Sequence, residues 1–384
     1  MSRELRPRFT TRCLNSLTRV GRPGRVVAQR LDRFRVAGWP NGRLAWQVTG
    51  REAENALFER QAALYRRIWV EAATAVGAKV EHLGDEFLAI RRGGVETVVR
   101  LHLVMFDHPA TIALALDKTV IHRLLAHGGL PVPEHRRLGE ISRVEALAFM
   151  TQGEGCGVVK PANGTGGGAG VTCGVETADD LARAQMAAAV FDRDILIERT
   201  ITGDEYRLLF IDGELLDVVR RCRPRVVGNG RSTVTALIAA ENQRRLDAGE
   251  GEVARLLRVD LDCALALRKG GWTARSVPPE GQVVVVKSTV GENARGDNAT
   301  VHGGLADSIV QAAARAATFS RIRLAGVDLV TPDPTRTLEQ AGGAILEVNG
   351  TPGLHYHYEV SDAEHATAVA VPLLERLLVE DAAR

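Results

Sequence analysis

The sequence predicts an α+β or α/β protein in which helices cover mixed sheets. Three observations predict this class. The chain has 384 residues, more than one typical domain of roughly 100–200 residues holds. Its composition, 45% hydrophobic and 25% charged, is globular and excludes disorder or fibrous structure as overall descriptions. From residue 51 onward, short apolar strand segments alternate with segments of helical periodicity.

Charge narrows the function classes. The formal net charge is +2, so the whole chain is not an electrostatic binder of nucleic acid or membrane. No apolar run reaches the roughly 18–20 residues that span a bilayer. The five cysteines (Cys13, Cys156, Cys173, Cys222, Cys263) are scattered and form no CxxC, which reads as free thiols in a reducing, cytoplasmic setting. Five lysines stand against 44 arginines, so each of Lys79, Lys118, Lys160, Lys269 and Lys287 is a candidate position where a compact ammonium is required.

The elements follow in chain order. Residues 1–36 carry ten arginines against Glu4 and Asp32. They read as a solvated basic arm, a targeting leader or a polyanion-binding segment; only Phe9 and Phe34 are there to stack bases. Residues 51–77 read as a helix with Ala56, Leu57, Leu64, Ile68, Ala72 and Ala75 inward and Gly77 as its stop. Phe87–Arg91 and Glu96–Leu103 flank Gly93–Gly94 as a hairpin. A helix begins near Asp117, with Val120, Ile121, Leu124 and Leu125 on one face, and ends at Gly128–Gly129. Cys156–Lys160 and Val171–Val175 are strands around a glycine-rich loop, and Thr177-x-x-Asp180 starts a helix with Leu181, Ala184, Ala188 and Phe191 inward. Ile195–Glu198, Tyr206–Ile211 and Glu214–Val219 are strands, the last two joined by an Asp212-Gly213 turn. Helices are predicted at 233–245, 252–268 and 304–320, a buried strand at Val283–Lys287, and two final strands at Val327–Val330 and Ala344–Val348.

Two segments carry chemistry. The loop Asn163-Gly-Thr-Gly-Gly-Gly-Ala-Gly170 lies between two strands, so it is not a dinucleotide fingerprint, which needs a helix directly after it. Gly164, Thr165, Gly166, Gly167 and Gly168 can fold over phosphates and offer backbone N–H groups, or can form a mobile surface loop; Lys160 at its base favours the first. Near the C-terminus, Glu347 and Asn349 share one face of a strand, and the connecting hairpin brings Asp328 beside them. Two carboxylates and an amide oxygen suit Mg²⁺; the same residues also read as a polar strand end before Gly350 and Pro352.

Taken together, the ordered motifs resemble the ATP-grasp superfamily. They are Asp117-Lys118-Thr, Val-Val-Lys160-Pro with its glycine loop, Ile-Leu-Ile-Glu198-Arg, Gly203-Asp-Glu-Tyr-Arg207, and Asp328 with Leu-Glu347-Val-Asn349-Gly-Thr-Pro352-Gly-Leu. The local wording, with Val-Val-Gly228-Asn-Gly-Arg-Ser-Thr-Val and Ser276-Val-Pro, is similar to the ATP-grasp module of cyanophycin synthetases over residues 113–360. The resemblance implies two α+β subdomains clamping ATP, at 113–194 and 195–384, after an N-terminal region at 1–112. It implies Lys118 and Lys160 on the ATP phosphates, 163–170 as a closing loop, Glu198 on the adenine amino group, Glu205 on the ribose, and Asp328, Glu347 and Asn349 on Mg²⁺. Lys287 resembles a γ-phosphate lysine where the family usually has Arg. Arg207 and Arg295 are candidate clamps for a carboxylate or oxyanion, and His355 and His357 candidate bases.

The implied activity is ATP-dependent carboxylate–amine ligation between amino acids or related small metabolites, through an acyl phosphate, with ADP released. A carboxylate–thiol ligase loading a carrier protein and a non-catalytic ATP-binding partner are the alternatives. A homodimer or higher homo-oligomer is a family expectation. Two departures stand out. Full cyanophycin synthetases carry a further Mur-ligase-like domain, and this sequence ends soon after the ATP-grasp motifs, so a single active site is expected. Relatives carry Arg where this chain has His355-Tyr-His-Tyr358.

Overall fold

A computed structural model describes residues 42–380, except 85, 153–154, 164–166 and 250–252. The basic segment 1–36 and Gly164, Thr165 and Gly166 of the glycine loop therefore lie outside the described residues. The helix expected at 51–77 is α1 (Gly42–Ala75), and Gly77 follows it at φ +68°. Ala56 and Ala75 face solvent; the inward face is Leu64, Tyr65, Ile68, Trp69 and Ala72. This face packs on the antiparallel sheet β1 (Lys79–His82), β2 (Phe87–Arg92) and β3 (Val95–Arg100), and on Leu373, Leu374 and Leu377 of the C-terminal helix. The hairpin at Gly93–Gly94 is present; β1 and the helix α2 (Pro109–Leu116) were not foreseen.

Asp117 separates α2 from α3 (Lys118–His127). Its Oδ1 accepts the N–H groups of Thr119 and Val120 at 3.0 and 3.1 Å, which caps α3 and fixes Lys118 at its first turn. The next unit is a four-stranded sheet in the order β4 (His135–Arg137), β7 (Ile195–Arg199), β5 (Gly157–Pro161), β6 (Thr172–Val175). Val159, Val175, Ile195 and Ile197 pack beneath α4 (Arg143–Met150) and α5 (Ala178–Ala189), both started by capping boxes. Pairing of β7 with β5 joins residues on both sides of the boundary drawn at 194/195.

The second unit is a five-stranded sheet. Its order is β12 (Asn298–Thr300), β9 (Glu214–Arg221), β8 (Asp204–Ile211), β13 (Leu324–Thr331), β14 (Ala344–Asn349). Strands β8 and β9 meet at Asp212 and Gly213, both at positive φ (+51° and +81°), as a two-residue hairpin requires. One sheet face carries Leu208, Phe210, Val218, Val327, Leu329 and Ile345 onto α8 (Asp307–Phe319) and α3. On the other face Leu209, Ile211 and Leu324 meet the core around α1, and Glu205, Arg207, Arg221, Asp328 and Glu347 gather beside Val219 and Val330. Every described strand pair is antiparallel, so the mixed-sheet expectation is corrected to an α+β architecture.

Two further expectations are corrected. Residues 253–260 are not helical: α7 spans Leu261–Lys269 and begins where Asp260 accepts the N–H of Cys263 at 3.0 Å. Before it, side chains take up the backbone donors, Asn242 that of Leu257 (2.7 Å) and Glu292 that of Arg258 (2.9 Å). The strand at 283 is only Val283–Val285 and pairs with Arg225–Val227 alone, leaving Val283 and Val285 48% and 41% exposed. A run of valines hides which side faces out. The four described cysteines are free thiols. Among the described residues no helix is long and apolar enough to cross a membrane.

Candidate active site

Period-two alternation puts Lys160 and Glu198 on the face of the four-stranded sheet that α4 and α5 leave open. Both are buried, and the Lys160 ammonium stands 2.6 Å from Glu198 Oε1. Lys118 reaches the same place from α3, whose backbone is tied to the sheet edge by the bond from Lys118 N–H to the Ala162 carbonyl (3.1 Å). Burial lowers the Lys118 pKa, with the neighbouring Glu347 pulling the other way. One turn on, His122 donates from Nε2 to the Leu346 carbonyl at 2.9 Å, beside Glu347. Burial, then Lys160, holds His122 down at about 4, so it is neutral. The helix α3 thus bridges the two sheets.

On the five-stranded sheet, register makes the cluster. Arg221 lies opposite Glu205, Arg207 opposite Asp328, and Asp328 opposite Glu347, all on the polar face. Arg207 donates from Nε and Nη2 to the two oxygens of Asp328 at 2.7 and 2.5 Å, a bidentate pair. Arg221 donates to Glu205 (3.3 Å) and to the Val290 carbonyl (3.2 Å). Asn349 Nδ2 bridges Asp328 Oδ2 and Glu347 Oε1, both at 3.2 Å. Burial pushes Asp328 up, but Arg207 outweighs it and holds the carboxyl below its ordinary value. Burial, then Asp328, raises Glu347. Burial brings Glu205 to about 7, against Arg221. The sequence-predicted metal residues are therefore one contiguous group, and Glu205 and Arg207 belong to it.

The described part of the glycine loop is seated on Arg255, Thr289 and Gly291. Gly167, Gly168 and Gly170 take φ of +63°, +73° and +76°, and Arg255 donates to the Gly167 carbonyl at 3.4 Å. Gly291 lies beneath: a Cβ there would sit 2.0 Å from the Gly167 oxygen, a contact only loop displacement relieves. On the ATP-grasp resemblance, in which residues 163–170 close over ATP, Gly291→Ala is expected to lower kcat/KM for ATP by about 10²-fold without unfolding the protein, measured by phosphate release and thermal melting. Unchanged kinetics would show that this loop position is unrelated to turnover.

Three predicted residues are not brought to the acidic cluster. Lys287 is 2% exposed and donates to both oxygens of Asp260 at 2.6 and 2.8 Å, with Asp262 at 3.6 Å and Glu292 at 3.8 Å. In this structure its ammonium is buried among carboxylates. Arg295 donates from Nε to the Val360 carbonyl at 3.0 Å. His357 is fully buried against Asp217 (2.6 Å), whose other oxygen accepts from Thr367 (2.7 Å), so it anchors its turn. His355 stays beside the cluster but is held by Tyr65 (2.9 Å) and lies well below its ordinary pKa through burial and the nearby His102 and Arg255. Sequence reasoning missed Tyr356, whose ring is flanked by the guanidinium carbons of Arg207 (4.8 Å) and Arg221 (4.5 Å). Burial would raise this phenol, but Arg221, Arg255 and Arg207 together lower it. It also missed Arg221 and His122, neither of which stands in a motif.

No protein-family model matches the sequence. The chain is 32% identical over 262 residues to cyanophycin synthetase of Nostoc sp., covering 67% of this chain and 29% of that protein. It is 28% identical over 327 residues to the glutathione biosynthesis bifunctional protein of Enterococcus faecalis, covering 81% of this chain and 43% of the relative. The chain thus spans less than a third of the length of the cyanophycin synthetase, 29%. Its fold matches the crystal structure of a bifunctional glutathione synthetase from Pasteurella multocida with a TM-score of 0.50 at 23% identity, over 79% of this chain and 42% of that one. The chain has the ATP-grasp fold.

The donor set of this ATP-grasp chain fits a hard divalent cation. Asp328 is buried and Glu347 half-buried, and the two carboxylates repel each other, which a cation between them would relieve. With Asn349 donating from Nδ2 to both, its Oδ1 remains an acceptor. Among the described residues no group of three or more His, Cys, Asp or Glu side chains forms a metal cage. The amide would be the third protein donor, and water and phosphate oxygens the rest, which is how Mg²⁺ is commonly held.

Proposed function

We propose that this protein is an ATP-dependent carboxylate–amine ligase that forms an amide between amino acids or related small metabolites, releasing ADP and phosphate. The observation that carries the reading is the convergence of Lys118, the Lys160–Glu198 pair and the Asp328–Glu347–Asn349 group, which come from two sheets and meet through Lys118, on which Glu347, Lys160 and Glu198 all act. Lys118 and Lys160 would bind the ATP phosphates, Glu198 the adenine amino group and Glu205 the ribose. Asp328, Glu347 and Asn349 would hold Mg²⁺, whose contribution is to neutralise charge on the phosphates when one anion attacks another. Residues 163–170 would exclude water from a readily hydrolysed acyl phosphate. We place the division between the two nucleotide-facing units after Arg199, because β7 completes the first sheet.

The test is phosphate release from MgATP by the purified protein across pairs of proteinogenic and common non-proteinogenic amino acids, with products weighed by mass spectrometry. The expected result is pair-dependent release and a product equal to both acids minus water. ADP is the expected nucleotide, and hydroxylamine should trap a hydroxamate. Stoichiometric AMP would replace this reading with adenylation.

A further inference from the structure

The core around α1 contains Tyr65, a side chain whose hydroxyl has no packing role. Tyr65 is 1% exposed among Leu64, Ile68, Trp69, Leu209 and Leu354. A phenylalanine ring would fill the same space. The hydroxyl instead holds the turn that follows β14. It accepts the backbone N–H of His355 at 3.3 Å and donates to His355 Nδ1 at 2.9 Å. That arrangement needs a neutral imidazole with its proton on Nε2. The His355 ring then lies 4.1 Å from the ring of Tyr356. Tyr356 in turn packs against both Arg207 and Arg221, whose guanidinium carbons lie 4.8 and 4.5 Å from its ring centre. Those two arginines hold Asp328 and Glu205.

We propose that Tyr65, on a helix outside both nucleotide-facing sheets, is a positioning residue for the acidic cluster, acting through His355 and the Arg207–Tyr356–Arg221 stack. This rests on the ligase reading, in which Asp328 and Glu347 hold Mg²⁺. If the turn loosens, Tyr356 leaves the guanidinium planes, and the bidentate hold on Asp328 loses one of its supports. Partners behind a ligand typically change metal affinity by about 10–100-fold when removed. The N-terminal region would thus set the geometry of a site to which it contributes no ligand.

The experiment compares wild type, Tyr65→Phe, His355→Ala and the double variant. Binding of a fluorescent ATP analogue is titrated against Mg²⁺, and thermal midpoints are recorded alongside. Tyr65→Phe is expected to raise the half-saturating Mg²⁺ concentration about tenfold while leaving nucleotide affinity at saturating Mg²⁺ within about twofold. In the His355→Ala background Tyr65→Phe is expected to add nothing further. An unchanged Mg²⁺ requirement with only a lower melting temperature would overturn the proposal and leave Tyr65 a core residue. Effects that simply multiply in the double variant would overturn the route through His355. A wild-type protein that binds no nucleotide at any Mg²⁺ concentration would overturn the ligase reading itself, which the other two outcomes leave standing.

Discussion

Glu347→Gln is expected to reduce ATP-dependent phosphate release by about 10²–10³-fold while the protein stays folded. The argument runs through charge, not shape. Gln is isosteric with Glu, so β14 keeps its pairing with β13, where Glu347 faces Asp328. Burial and Asp328 already push the Glu347 carboxyl up, so neutralising it removes repulsion from the folded state. Thermal stability should therefore hold or rise. What is lost is one of two negative charges available to a divalent cation, and with it the neutralisation that an attack between anions requires. Binding of nucleotide without Mg²⁺ should survive, because Lys118, Lys160 and Glu198 are untouched. Turnover near the wild-type rate, with the same Mg²⁺ requirement, would remove Glu347 from the metal site.

The site was legible where function and local pattern coincide. Asp117 announces both a helix cap and the placement of Lys118, and the structure shows that cap. Period two in Glu347-Val-Asn349 sets two donors on one face, and the register with Asp328 completes the group. What stayed hidden depends on contacts distant in sequence. Arg221 is one of 44 arginines; only its position opposite Glu205 distinguishes it. Tyr65 and His355 are 290 residues apart, and nothing local links them. The false helix over 253–260 has a physical cause of the same kind. Its apolar spacing is helical, yet Asn242, Glu292 and Glu359 supply backbone acceptors from far along the chain. Scarcity of lysine pointed to buried ammonium groups at Lys118, Lys160 and Lys287 but not at Lys79 and Lys269, which are exposed, and it did not tell their purpose.

Lys287→Met is expected to destabilise the fold by about 3–5 kcal/mol, as removal of one partner from a buried ion pair does. Burial alone would lower this lysine's pKa, yet Glu292, Asp260 and Asp262 together raise it above its ordinary value. Without the ammonium, those carboxylates face one another with only Arg258 to balance them. Asp262 is the critical one. It accepts the Cys173 N–H on Oδ1 (3.1 Å) and the Ser288 N–H on Oδ2 (3.0 Å), and so staples the strand after the glycine loop to the segment beneath it. Loss of Lys287 should therefore loosen the loop as a consequence of instability. A phosphate-binding lysine would behave differently: turnover would fall while urea unfolding stayed unchanged. Adding Asp260→Asn separates the two readings. It removes one of the orphaned charges, so it should recover part of the lost stability if Lys287 is a counter-ion, and nothing if Lys287 serves phosphate.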